Sequence, residues 1–159
     1  MLNEILQPDI PRVLLNEIKA RCLDLERGKV PTNLVRIAQH RVISFVEIPD
    51  NSATATLHNS PSGVLSQNRY GIINYNNPRV ARMLGYKSLV GIPSIDLVPE
   101  EYREARAKEF EEVLRTGIPI AIETQRIHRL GHEIDIAAQV FRYKSSLVSY
   151  GTAAIIKRN

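Results

Sequence analysis

The period of the apolar positions changes several times along the chain, and each change predicts a new element. Leu14, Ile18, Cys22 and Leu25 recur at steps of four, four and three, a narrow stripe that predicts a helix over residues 11–27. Pro8 and Pro11 punctuate its start and Gly28 its end, with Asn16, Glu17, Lys19, Arg21 and Asp24 on the other sides. Beyond the break at Val30, Pro31, Thr32 and Asn33, the spacing of Leu34, Ile37, Ala38, Val42 and Phe45 suits a second helix. Its end, residues 41–46, is apolar on both sides and β-branched, so helix and strand both fit there. Residues 50–62 are rich in Asn, Ser and Thr between Pro49 and Pro61, and read as a connector with a helical turn near 54–58.

Residues 63–67 and 71–75 are two short strand signals around the turn Asn68, Arg69, Tyr70 and Gly71. Asn76 or Asn77 then offers a cap and Pro78 the first position of a short helix, whose Val80, Met83 and Leu84 share one face. Gly85 supplies the left-handed residue that ends it. Pro93 and Pro99 allow only a single helical turn between them. Residues 100–116 form the strongest helix signal, with Glu100 and Glu101 in the first turn, Arg115 in the last and Gly117 after it. Tyr102, Ala105, Phe110, Val113 and Leu114 are its expected buried stripe.

From there the period is two. Ile118, Ile120, Ile122 and Thr124 face one way, and Glu123 and Gln125 the other. After the turn at Arg129, Leu130, Gly131 and His132, the inward positions are Ile134, Ile136, Ala138 and Val140, against outward Glu133, Asp135 and Gln139. A last strand is expected over 151–157. The order of elements predicts an α+β domain built on an antiparallel sheet.

The step from Ile73, Asn74 and Tyr75 through the Asn cap to Leu84-Gly85-Tyr86, followed by Leu89-Val90-Gly91, closely resembles the centre of a PAS domain. The resemblance runs from about residue 60 to the C-terminus. It implies a five-stranded antiparallel sheet with helices on one face, here preceded by an N-terminal helical extension. The expected division is a helical cap or dimerisation segment over 1–50 and a PAS domain over 51–159. Many PAS domains end their last strand in an Asp-Ile-Thr type step toward an effector. Here Ile155-Ile156 is followed by Lys157, Arg158 and Asn159, which fits a freestanding protein or a fragment alike.

Composition narrows the class further. The 159 residues are 43% hydrophobic and 24% charged, an ordinary globular balance. No apolar run is long enough for a membrane span, and Glu4, Pro8 and Asp9 stand where a secretory signal needs apolar residues. Cys22 is alone, which excludes an intrachain disulfide or a thiolate zinc cluster, and a cytoplasmic location is the default expectation. The net charge of +4 comes from Lys and Arg scattered among 17 acidic residues, a mixed solvated surface rather than a nucleic-acid stripe. The alternative is a transcriptional regulator, in which the second helix offers Asn33, Arg36, Gln39 and His40 to DNA.

In the PAS family the space between sheet and helices holds a small ligand, a cofactor or only side chains. The ligand-pocket candidates are Ile95, Leu97, Val98, Tyr102 and Phe110 from the helices, with Ile122, Thr124, Ile136, Ala138 and Ile155 from the strands. A covalent flavin adduct and a thiol-linked chromophore need a Cys inside the domain, and the long helix has no His for haem. No resident cofactor is expected, with non-covalent flavin or a small metabolite left open. His128 and His132 flank a turn, where they read as exposed hairpin histidines, with a pH-sensitive pair or weak metal site as the alternative. No catalytic cluster stands at motif spacing, so an enzyme is not expected. The expectation is a non-enzymatic sensory module in signal transduction. It would pair as a homodimer through Leu14, Ile18, Cys22 and Leu25, and respond to a small molecule or a signalling protein partner.

Overall fold

The computed structural model describes residues 10–26, 53–144 and 150–159. Helix α1 is Ile10–Glu26 and α2 is Ala53–His58. Strands β1 (Gly63–Asn68) and β2 (Ile73–Asn76) lead into the short helix α3, Pro78–Met83. Two 3-10 turns, Ser94–Leu97 and Glu100–Tyr102, precede helix α4, Arg103–Thr116. Strands β3 (Ile120–Ile127), β4 (Glu133–Lys144) and β5 (Tyr150–Arg158) complete a five-stranded antiparallel sheet in the order β2-β1-β5-β4-β3. The second helix expected around Leu34 and Phe45, and with it the DNA-reading alternative, lies outside the described residues.

Both faces of the sheet carry an apolar cluster, because side chains alternate across the pleat. On the inner face, Ile136, Ala138 and Val140 of β4 and Ile156 of β5 pack with Val80, Leu84, Leu97 and Val113. On the outer face, Phe141 and Tyr143 of β4 and Ala153 and Ile155 of β5 pack with Val64, Leu57 of α2, and Leu14, Leu15 and Ile18 of α1. The register pairs Val140 with Ala154 and Phe141 with Ala153, so the two strands assign the same neighbours to the same face. Leu14, Leu15 and Ile18 are 0% exposed, each contributing roughly 1.5–3 kcal/mol by full burial.

Leu14 and Ile18, expected at a seam between two copies, are therefore covered by their own sheet, packed with Phe141, Tyr143, Ala153 and Ile155. The Cys22 and Leu25 side chains lie outside the described residues.

The long helix also differs from expectation. Its first turn is 3-10, which has fewer residues per turn, and this shifts the phase of the later turns. Tyr102 is 39% exposed and Ala105 is exposed, while Arg106, Phe110 and Val113 turn toward the sheet. Ile118 precedes β3 and stays outside the core.

Two glycines hold packed approaches. Gly85 has φ 80°, and a Cβ there would overlap the His128 ring. Gly151 sits where β5 meets β1, and a Cβ would overlap the Gln67 carbonyl oxygen.

Candidate ligand cavity

Between the inner face of the sheet and α3 and α4 lies a cavity of about 40 Å³. Strand β1 contributes Leu65 and Gln67, and the α3 region Val80, Met83 and Leu84. Ser94 and Leu97 come from the first 3-10 turn and Phe110 from α4. Arg126 of β3, Ile136, Ala138 and Val140 of β4, and Thr152, Ala154 and Ile156 of β5 close the remaining walls. A void needs about 10–15 Å³ to hold one water, so this one takes about three or four water-sized groups.

The wall is mostly apolar, with Gln67, Ser94 and Thr152 toward one end of the strands and Arg126 toward the other. Strand alternation carries Arg126 inward, in phase with Ile122 and Thr124, and leaves it 9% exposed. Its Nη1 donates to the Gln125 carbonyl oxygen at 2.8 Å. Burial, together with nearby Arg106, pushes its pKa down to about 10, partly offset by Glu109, and it remains cationic at neutral pH. Glu109 is held by Arg106, whose Nη2 donates to Glu109 Oε1 at 2.9 Å. The Ser94 hydroxyl donates to Gln67 Oε1, so the amide carbonyl of Gln67 is occupied.

Of the residues expected to line a pocket, Leu97, Phe110, Ile136 and Ala138 stand in the cavity wall. Ile122 and Thr124 are buried on the same face but outside the wall, and Val98 is buried beside it. Ile95 is half-buried and Tyr102 39% exposed, and neither stands in the wall. Ile155 points to the opposite face, into the cluster beneath α1, and Ile156 takes the inward place. Residues 153–156 are apolar throughout because both faces of β5 are covered, which leaves no alternation to set the phase. Arg126 was absent from the expected lining. Its signal was the phase itself, since counting by twos from Ile120 through Ile122 and Thr124 arrives at it.

A second cluster of titratable groups lies at the tip joining β3 and β4. The His128 and His132 rings stack with centroids 4.4 Å apart and planes 19° from parallel. His128 Nδ1 accepts from the Leu130 N–H at 3.0 Å, which requires that nitrogen to be unprotonated. Desolvation, then the charges of His132, Arg129 and Arg158, hold its pKa below the usual imidazole value. Arg129 anchors this tip to the end of α3, its N–H donating to the Leu84 carbonyl oxygen at 2.9 Å and its Nε to that of Gly85 at 2.8 Å.

A five-stranded antiparallel sheet with helices packed around a small cavity is an α+β architecture. A family model described as the PAS fold matches residues 54–143, more than half of the chain, and the chain belongs to the PAS family. Solved structures agree in fold. A PAS domain from Colwellia psychrerythraea has a TM-score of 0.62 at 16% identity, over 69% of this chain and 95% of that one. The PAS domain of a two-component sensor histidine kinase has a TM-score of 0.58 at 12% identity, over 69% and 95%. The PAS domain of a LuxR-family transcriptional regulator from Burkholderia thailandensis, solved in complex with ethanol, has a TM-score of 0.53 at 14% identity, over 66% and 95%. No curated protein sequence matches the chain. Among the described residues no helix is long and apolar enough to cross a membrane.

Proposed function

We propose that the protein is a non-enzymatic sensory module whose inner cavity receives a small ligand and whose N-terminal helix reports the occupancy. The carrying observation is that β4 and β5 serve two compartments. Ala138, Val140 and Ile156 line the cavity, while their neighbours Phe141 and Ile155 pack with Leu14 and Ile18 of α1. A ligand that repacks one side of these strands changes what the other side offers to the helix. Pairing of two copies belongs to the same proposal. With Leu14 and Ile18 taken up by the sheet, it falls to the later part of α1, where Cys22 and Leu25 continue the stripe.

Native mass spectrometry of protein from its own host tests both parts. A dimer that carries a small adduct, and loses it on mild activation, is the expected result. A bare monomer at micromolar concentration, whose spectrum no small molecule alters, would remove the proposal.

A further inference from the structure

We infer that the cavity selects a short-chain monocarboxylate, its carboxylate held by Arg126 and its tail against the apolar wall. The inference rests on the ligand-receiving reading above and gives that ligand a chemical class. Its basis is an imbalance of donors and acceptors. Arg126 carries five N–H donors and no acceptor, and a single hydrogen bond, to the Gln125 carbonyl oxygen, is formed among the described residues. No carboxylate comes within ion-pair distance of it there: Glu109, the nearby acid, gives Oε1 to Arg106 and keeps a buried, unpartnered Oε2, so Arg106 and Arg126 together leave one positive charge in excess.

A buried cation without an anion is costly unless something acceptor-rich completes it. A carboxylate offers acceptors only, and its two oxygens match the planar guanidinium fork. One uncompensated cation suits one negative charge. The 40 Å³ volume restricts the ligand to roughly acetate or propionate in size, and Leu65, Ile136, Ala138 and Ala154 suit an alkyl tail.

The experiment titrates isotopically labelled protein, in carboxylate-free buffer, with sodium propionate and with its neutral counterparts propionamide and 1-propanol. Backbone amide shifts at Leu65, Ala138 and Ala154 are the readout. Propionate is expected to give saturable shifts, with both neutral probes about ten-fold weaker or more. Arg126→Gln should weaken propionate by a similar factor and leave propionamide unchanged. Equal binding of propionate and propionamide, or full propionate affinity in Arg126→Gln, would overturn the carboxylate assignment and leave a neutral-ligand sensor standing. Silence of all three amides toward every probe would overturn this inference and the ligand-receiving proposal together. If Arg126→Gln does not fold, the charged-against-neutral comparison in the unmodified protein still decides.

Discussion

Asn77 and Val64, thirteen residues apart, bind each other twice: the Val64 N–H donates to the Asn77 side-chain oxygen at 3.0 Å, and the Asn77 N–H to the Val64 carbonyl at 2.9 Å. The same side-chain oxygen caps α3 by accepting from the Val80 N–H at 3.2 Å. The Asn77 amide donates to the carbonyls of Leu57 at 2.8 Å and Ser62 at 2.9 Å. One fully buried side chain thus joins α2, β1 and α3.

Asn77→Ala should therefore exceed the usual loss of a helix cap. A cap alone is worth about 0.5–2 kcal/mol, and stranding several buried backbone groups adds about 1–3 kcal/mol for each one left unsatisfied. A loss of about 3 kcal/mol or more is expected in urea denaturation. Asn76→Ala should lose less, because the Asn76 side-chain oxygen serves chiefly the Leu89 N–H at 2.8 Å. Equal midpoints for the two variants would refute the special position of Asn77.

Ile18→Glu places a carboxylate in the cluster of Phe141, Tyr143 and Ile155. The expected loss is about 3 kcal/mol or more, from lost burial plus an unpaired buried charge. Circular dichroism through a denaturant series measures it. An unchanged midpoint accompanied by a halved mass in light scattering would mean that Ile18 sits between copies instead of on its own sheet.

The His128 tip predicts a pH dependence with a definite sign. The folded-state pKa lies below the ordinary 6.5, so the unfolded chain takes up the proton more readily. This contribution to stability is fully present above pH 6.5 and declines as pH falls below it. Midpoints measured from pH 8 to pH 5 should fall toward acid, and His128→Gln should flatten the profile even if it lowers every point. A parallel profile in the variant would assign the acid sensitivity to other groups.

Legibility in the sequence followed the range of the forces involved. The Asn cap, Pro78 and Gly85 act within one turn of helix, and α3 stands where they announce it. Strand β3 and the first part of β4 were readable because Glu123, Glu133 and Asp135 meet water, whereas Gln139, expected to face outward with them, is 1% exposed. The phase of β5 was not readable, because α1 covers the face that would otherwise have carried polar residues. The Asn77 bonds to Leu57 and Ser62 span 20 and 15 residues, and no local pattern encodes them. Arg126 is the converse case: its position was countable, but its chemical meaning depends on Glu109, the nearby acid, pairing with Arg106 instead.

The sheet order also bears on how the chain can be divided. The family match ends at residue 143, yet β5 begins at Tyr150 and lies between β1 and β4. A polypeptide cut to the matched interval would hold two separate hairpins, β1 with β2 and β3 with β4, whose facing edges have lost the strand that joins them. Those open edges would seek strands from other molecules. The smallest piece able to fold as a unit thus extends beyond the recognisable motif, to include the strand that closes the gap.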